Sequence, residues 1–201
     1  MSYFPMFIEL QDKNCLIVGG GQIALHKVRV LRDFGAKLTV VAVEISPEIK
    51  ETEGVDWRER CFEPEDIKNQ ELVVAATDNK EQNHKISLLC QKEQIPVNAV
   101  DQIEDCSFIF PAYLKEGEVV AAFSSGGQSP VVTQYLKKQM RPILTELIGT
   151  LAAQLGGLRE RVKQMESKEA RKTVYQTLFQ KGLEQTRQLS EEEIEKVIGG
   201  K

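Results

Sequence analysis

A glycine-rich turn between a predicted strand and a predicted helix is the first stretch of this chain that could do chemistry. It has the pattern Gly-x-Gly-x-x-Ala, with Gly19, Gly21 and Ala24 at the three fixed positions. Gly19 permits the tight turn, Gly21 lets a pyrophosphate approach the backbone, and the small Ala24 lets the helix pack closely on the strand. The unpaired amides of the first helical turn, which includes Gln22 and Ile23, would face the phosphates. The pattern predicts a dinucleotide site; the alternative is a glycine turn that serves packing alone.

A carboxylate follows the second predicted strand at the spacing that a dinucleotide site requires. Residues 37–43 form an apolar run that predicts a strand, and Glu44 comes directly after Val43. An acid about 20 residues beyond the glycine turn can accept hydrogen bonds from the ribose hydroxyls of the adenosine. The charge of Glu44 would also repel the 2′-phosphate of NADP, so we expect NAD as the cofactor. The alternative is that Glu44 lies on a solvated loop.

A second carboxylate, Asp101, could supply the acid–base chemistry that accompanies hydride transfer to a nicotinamide. It follows a predicted strand over residues 95–100, which contains Asn98, and it would project into a crevice at the end of that strand. A carboxylate in such a position can act as a general base. Taken alone, an Asp after a strand is more often a turn former, so both interpretations stay open at this point.

Two further polar residues, Thr77 and Asp78, follow the unbroken apolar run of residues 72–76. Such a run is typical of a strand inside a parallel sheet. We assign Thr77 and Asp78 to the cofactor site because they would lie at the same edge as the glycine turn. The alternative is that they form the cap of the next helix together with Asn79.

A serine- and glycine-rich loop precedes the helix that starts at Ser129-Pro130. Its residues Ser124, Ser125, Gly126 and Gly127 would expose several backbone amides, which suits a carboxylate or phosphate of a ligand. The alternative is an ordinary turn from strand to helix. Basic residues could add positive charge for an acidic ligand, although such side chains usually form a solvated face: Lys27, Arg29, Lys137, Lys138 and Arg141.

The elements that would position these loops alternate between strands and helices. We predict strands over residues 14–19, 37–43, 72–76, 95–100, 107–113 and 119–124, the last two joined by a hairpin turn. Alternation of this kind predicts a Rossmann-like, doubly wound parallel sheet. Ligands bind outside the carboxyl ends of such strands, so we expect the five loops described above, including residues 124–127, to face one crevice.

Composition narrows the classes of partner. The chain has 201 residues, 41% of them hydrophobic and 28% charged, and its net charge is −4, which gives no basic field for nucleic acid. No apolar stretch approaches the ~18 residues of a membrane span, and no signal peptide is visible. Four scattered cysteines fit a reducing cytoplasm. With two histidines, His26 and His84, and no cysteine pair, we predict no metal site.

From Ser129 onward the pattern becomes helical. Seven apolar residues repeat at spacings of four and three: Leu144, Ile148, Leu151, Leu155, Leu158, Val162 and Met165. A seam of this kind requires a partner helix, either the next helix of the same chain or a second copy of the chain. Gly149, Gly156 and Gly157 lie within the seam and would either allow close approach of another segment or mark a break.

The motifs together resemble one family, the siroheme synthase N-terminal module, which contains precorrin-2 dehydrogenases and sirohydrochlorin ferrochelatases. The resemblance covers about residues 1–180. Where the family often has Arg-Lys after the glycine turn, this chain has His26-Lys27, and no methyltransferase domain follows, so the chain resembles the stand-alone form. Five segments in this order carry the resemblance: Leu16-Ile-Val-Gly-Gly-Gly-x-x-Ala-x-x-Lys27, Ala75-Ala-Thr-Asp78, Asn98-Ala-Val-Asp101, Ser107-Phe-Ile-Phe-Pro111 and Ser124-Ser-Gly-Gly-x-Ser-Pro130.

The resemblance implies an activity and roles for residues. Precorrin-2 would be oxidised to sirohydrochlorin in siroheme or cobalamin biosynthesis, with hydride passing to NAD. Asp101 matches the family aspartate implicated in dehydrogenation, and Ser125 matches a serine that is phosphorylated in some members. Residues 22–23 and 43–44 match contacts to NAD, while Asn98 and residues 124–127 would contact the tetrapyrrole. The family is dimeric, which implies a homodimer through residues 113–165.

The resemblance leaves two questions open. Metal insertion into sirohydrochlorin is possible in the family but is not implied for every stand-alone member. A non-enzymatic, redox-sensing NAD-binding module would share the glycine turn and Glu44, although it would not need residues 98–101 together with 124–130. We predict three ranges: an NAD-binding domain over 1–112, a segment at the substrate cleft and dimer interface over 113–145, and a helical domain over 146–201.

Overall fold

A computed structural model describes residues 3–165 and 167–199 of the chain. The chain divides into two compact units, Met1–Phe110 and Pro111–Lys201. Residues 1, 2, 166, 200 and 201, which the predicted ranges include, lie outside the described residues. The further division of the second half at residue 145 stays a prediction.

The first unit contains a five-stranded parallel sheet with the order β3-β2-β1-β4-β5. This arrangement confirms the predicted Rossmann-like α/β fold. The two halves of the sheet run outward from β1, so the point where the strand order reverses lies between β1 and β4. The strands are β1 (Asn14–Val18), β2 (Lys37–Ala42), β3 (Val55–Glu59), β4 (Leu72–Ala75) and β5 (Val97–Ala99).

Helices cover both faces of this sheet, so its central strand is buried on both sides. Cys15 and Ile17 of β1 pack into one apolar cluster, which includes the inner face of the first helix. Leu16 and Val18 point the other way, into a second cluster with the third helix. The alternation follows from the two-residue period of a strand. The helices of this unit are α1 (Gln22–Asp33), α2 (Pro47–Lys50) and α3 (Lys80–Lys92), with short 3₁₀ turns at Pro64–Ile67 and Ile103–Asp105.

The second unit opens with an antiparallel hairpin and continues as helices. Two expectations were wrong here. The strand predicted over residues 107–113 begins only at residue 112, and residues 124–127 follow a separate hairpin rather than a strand of the parallel sheet. The elements are β6 (Ala112–Glu116), β7 (Val119–Phe123), α4 (Pro130–Met140), α5 (Glu146–Gly157), α6 (Arg159–Lys163), α7 (Lys168–Gln185) and α8 (Glu191–Ile198).

The apolar seam is divided between two helices, and its second half packs within the chain. The helix ends after Gly156 and Gly157, and Leu158 and Val162 are buried in a cluster with residues of α7 and α8. Gly149 instead allows close approach of another segment, because a Cβ there would lie 2.6 Å from the carbonyl oxygen of Glu116. This part of the seam therefore has an intrachain partner.

None of the helices among the described residues combines the length and the apolar character that a membrane span requires.

Candidate active site

The glycine turn lies where the strand order of the sheet reverses. Gly19 has a φ of +132°, and a Cβ there would overlap the carbonyl group of Ala76 at the end of β4. Its amide donates to the carbonyl of Val41 in β2, at 2.9 Å. Gly19 is thus fixed between the two neighbours of β1, and no larger residue fits. The edge of a sheet at this point is the usual ligand site of open α/β folds.

The middle glycine, Gly20, has a role that the sequence pattern did not reveal. A Cβ there would overlap the carbonyl group of Glu44, and the amide of Ser46 donates to the carbonyl of Gly20 at 2.9 Å. The loop after β2 is therefore seated directly on the glycine turn. It presents Val43, which is 73% exposed, and the exposed Glu44 at the same edge of the sheet. In the sequence, only the run of three consecutive glycines could have indicated this role of Gly20.

Gly21 and the start of α1 form an open cradle. A Cβ at Gly21 would meet no atom within 4 Å, and Gly21 offers no side chain to cap the helix. The amide of Leu25 donates to the carbonyl of Gly21, so the amides of Gln22, Ile23 and Ala24 precede this first bond. Ala24 is fully buried against the sheet, as its small size predicted. These amides, at the positive end of the helix dipole, fit a pyrophosphate.

At the end of β4, Thr77 is held by a polar side chain of α3. The Thr77 hydroxyl donates to Asn83 Oδ1 at 2.6 Å, and Asn83 Nδ2 donates to the Thr77 carbonyl at 3.1 Å. The cap of α3 is Asn79, which accepts from the amide of Gln82, while Asp78 is exposed. Asn83 is buried, and its distance from Thr77 in the sequence hid this role.

Asp101 follows β5 in a left-handed backbone conformation, with a φ of +59°, and its side chain is exposed. The turn around it is fixed by the thiol of Cys106, which lies 3.2 Å from the carbonyl oxygen of Ala99 and 3.3 Å from that of Gln102. Burial raises the pKa of the Cys106 thiol, so the thiol stays protonated near neutral pH and can donate. The buried Asn98 donates from Nδ2 to the carbonyl of Phe108 at 3.0 Å.

The residues after Asp101 are tied to α3 by a buried carboxylate, Asp105. Gln102 Nε2 donates to Asp105 Oδ2 at 2.7 Å, and His84 Nδ1 lies 2.6 Å from Asp105 Oδ1. The hydroxyl of Ser87 donates to the backbone carbonyl of Asp105. His84 thus helps to hold the segment that carries Asp101. Among the described residues, no three His, Cys, Asp or Glu side chains are arranged to hold a metal ion.

Lys27 is a partly buried cation of the same unit. Its Nζ lies 3.8 Å from the centre of the Phe110 ring. Burial lowers the pKa of the Lys27 ammonium, while the nearby Cys106 and Asp101 act in the opposite direction. The Lys27 ammonium is therefore partly withdrawn from water and lies over an aromatic ring. The sequence indicated Lys27 only as one of several basic residues that could add positive charge for an acidic ligand.

The serine- and glycine-rich loop belongs to the second unit and forms a compact turn there. The Ser125 hydroxyl accepts from the amide of Ser129 at 2.9 Å and donates to the Ser129 carbonyl. The amide of Gly126 donates to the hydroxyl of Ser124, and both Gly126 and Gly127 have positive φ. A Cβ at Gly126 would meet no atom within 4 Å. The role of this loop in substrate binding stays a prediction.

Comparison with known proteins gives matches to a protein family, to curated relatives and to a solved structure. Residues 6–112 match the family described as putative NAD(P)-binding. The siroheme synthase of Thioalkalivibrio sulfidiphilus is 40% identical over 166 residues, which cover 81% of this chain and 34% of that protein. The siroheme synthase of Photorhabdus laumondii is 37% identical over 183 residues, covering 89% and 39% respectively.

A solved structure titled "SirC, precorrin-2 dehydrogenase" has the same fold, with a TM-score of 0.76, 23% identity and 98% coverage of both chains. The chain spans about a third of the length of the curated relatives it matches. These matches confirm the resemblance to the siroheme synthase family that the sequence motifs indicated.

Proposed function

Because this chain belongs to the family of putative NAD(P)-binding proteins, we propose that it is an NAD-dependent dehydrogenase that oxidises precorrin-2 to sirohydrochlorin. One observation carries the proposal: the glycine turn after β1 and the carboxylate of Asp101 after β5 lie at the carboxyl edge of one parallel sheet. A hydride acceptor bound at the glycine turn would therefore lie at the same edge of the sheet as a base at Asp101. The names of the similar proteins supply the substrate.

The cofactor part of the site is assigned to the residues around the glycine turn. The amides of Gln22 and Ile23 and the open surface over Gly21 bind the pyrophosphate. Glu44 accepts hydrogen bonds from the adenosine ribose, at the edge where its loop is seated on Gly20. Thr77 and Asp78 line the same edge after β4. Bound NAD supplies the hydride acceptor.

Asp101 is the proposed base. Oxidation of precorrin-2 removes two hydrogens, one as a hydride that reduces NAD to NADH and one as a proton. The exposed carboxylate of Asp101 takes that proton as the carbon–hydrogen bond breaks and releases it to solvent after product formation. The Cys106 thiol and its two backbone acceptors hold the turn that presents this carboxylate.

We assign substrate binding to Asn98 in the first unit and, separately, to four residues of the second unit: Ser124, Ser125, Gly126 and Gly127. Asn98 offers Oδ1 as an acceptor. The open space at Gly126 lets a carboxylate approach the backbone amides of the loop. Precorrin-2 carries many carboxylates, which gives these donors a purpose. We place the enzyme in the cytoplasm, since its four cysteines are all free thiols.

We further propose that two copies of the chain associate through residues 113–165. Support comes from a set of apolar side chains that the single chain leaves exposed on and after α4: Val131 (78%), Val132, Tyr135 (61%), Leu136 and Ile143. An exposed apolar surface of this kind is typical of an interface. Sedimentation of a Tyr135→Asp variant should give monomers, whereas Leu88→Asp, at an exposed apolar residue of α3, should not.

The dehydrogenase proposal is tested by anaerobic incubation of the chain with precorrin-2 and NAD, followed by absorbance. Sirohydrochlorin and NADH should form together, at a rate well above that of an enzyme-free control. NAD binding without turnover of precorrin-2 would contradict the proposal and favour the redox-sensing module. A second incubation with ferrous or cobaltous ion decides whether metal enters sirohydrochlorin faster than in the enzyme-free control.

A further inference from the structure

Lys27 lies at an unusual place for a lysine. It belongs to the second turn of α1, three residues beyond the buried Ala24, and its side chain is partly withdrawn from water. The ammonium lies 3.8 Å above the Phe110 ring, which belongs to the same unit. The ion pairs of the described residues include ten other lysine and arginine side chains but not Lys27.

A partly desolvated cation without an anionic partner is unfavourable by itself. Lysine is almost never fully buried unless it is paired, and even partial loss of hydration disfavours its charged form. The contact with the Phe110 ring offsets part of the desolvation free energy, because the ring quadrupole attracts a cation above its face. Burial lowers the pKa of the Lys27 ammonium, and the Asp101 carboxylate opposes this fall, although the ion pairs of the described residues include none between the two. The ammonium is thus prepared for an anion that the described residues do not supply as an ion-pair partner.

We propose that Lys27 is a binding residue for an anionic oxygen of the ligand, at the place where its ammonium lies over the Phe110 ring. This inference rests on the proposed function for its ligands. Two groups share the chemistry: a carboxylate of the tetrapyrrole and a phosphate of the dinucleotide. Titration with each ligand in turn distinguishes the two sources.

A purely structural role makes a different prediction. If Lys27 serves only to cover Phe110, its aliphatic chain is what matters, and Lys27→Met keeps that chain while it removes the charge. Lys27→Arg keeps both the charge and the contact with the ring. Arg32→Met is the matched control, since it removes one positive charge from an exposed side chain of the same helix.

The experiment measures binding, separately from turnover. Sirohydrochlorin is titrated by its fluorescence and NAD by calorimetry, for the wild type and the three variants, with thermal unfolding as the check of folding. Loss of one charge-assisted hydrogen bond should weaken binding of one ligand by roughly 10- to 100-fold in Lys27→Met. Arg32→Met should stay close to the wild type, Lys27→Arg should recover most of the affinity, and added salt should reduce the difference.

Each result has one meaning. Weaker sirohydrochlorin binding with unchanged NAD binding identifies a carboxylate as the anion, and the converse identifies a phosphate. If Lys27→Met binds both ligands as Arg32→Met does, the inference is overturned. Failure of the wild type to oxidise precorrin-2 would contradict the proposed function alone, because the NAD titration still decides whether Lys27 receives a phosphate.

Discussion

The carbonyl group of Glu44 occupies the space that a side chain on Gly20 would need. The glycine turn therefore does more than admit a ligand, because it also seats the loop that carries the proposed ribose-binding carboxylate. The hydrogen bond from the amide of Ser46 to the carbonyl of Gly20 holds the two segments together. The phosphate and ribose ends of the adenosine site are thus built on adjacent backbone segments, which leads to the first prediction.

Alanine at the two neighbouring glycines should affect different properties, stability at Gly20 and NAD binding at Gly21. Gly20→Ala must displace the loop after β2, so it should lower the free energy of unfolding by about 1–3 kcal/mol, the usual cost of overpacking. Gly21→Ala places its Cβ in open space at a φ of −89°, so stability should be unchanged while NAD binding weakens. Urea unfolding and NAD calorimetry measure the two effects. Equal stability loss in both variants would contradict the assignment.

Asp101→Asn should remove catalysis without removing the cofactor. Asn tolerates the left-handed conformation of this position, so the fold and the turn should persist. Loss of a general base typically lowers the rate by about 10²- to 10⁴-fold. We expect a fall of that size in precorrin-2 turnover, with the dissociation constant of NAD unchanged. A variant that folds, binds NAD and keeps the full rate would remove Asp101 from the mechanism.

Glu44 should set the preference between the two dinucleotides. Its side chain is exposed at the edge of the sheet, where an acid pairs with the ribose hydroxyls and opposes a 2′-phosphate. In Glu44→Gln, NAD affinity should fall and NADP affinity should rise, so the ratio of the two dissociation constants moves towards one. Glu51→Gln, an exposed acid just after α2, is the control for net charge. An unchanged ratio in Glu44→Gln would place the ribose elsewhere.

Two buried thiols should make the protein sensitive to alkali. Burial raises the pKa of Cys15 and of Cys90 from 9.0 to about 11. The unfolded chain therefore loses these protons first as the pH rises, so their contribution to stability is complete below pH 9.0 and declines towards pH 11. The urea midpoint should fall over this range, and less so in a Cys15→Ala, Cys90→Ala variant than in the wild type.

Thiol labelling checks the same environment. Cys61 is exposed, whereas Cys15 and Cys90 are buried. A thiol reagent at pH 8 should therefore modify Cys61 rapidly, and the two buried thiols only when the chain unfolds. Rapid labelling of Cys90 in the folded protein would contradict the buried environment assigned to it.

The sequence predicted those parts of the fold that are encoded locally. The apolar run of β4 and the pattern from Gly19 to Ala24 each carry their own signal within a few residues. Asn83 and Cys106 carry none, because their partners lie several residues away and only the folded chain brings them together. Each is an ordinary polar or weakly polar residue in a helix or a loop until its partner is known.

The strand predicted over residues 107–113 was wrong for a related reason. Ser107 does meet β5, since its amide donates to the carbonyl of Val97 and its hydroxyl accepts from the amide of Val97. The Ser107 hydroxyl thus accepts a hydrogen bond that a backbone carbonyl would accept between two regular strands. Apolar periodicity was equally unable to choose a partner for Leu158 and Val162, because a seam within the chain and one between chains bury the same residues.

The two-sided burial of β1 also fixes how the chain can be altered. Cys15 and Ile17 serve one apolar cluster, Leu16 and Val18 the other, and Gly19 must follow at the edge. One residue added or removed within Asn14–Val18 would exchange the two clusters and shift the glycine turn by about 3.3 Å along the sheet. Insertions and deletions are therefore compatible with this site only outside β1, and the count of residues in that strand is as much a part of the site as the glycines themselves.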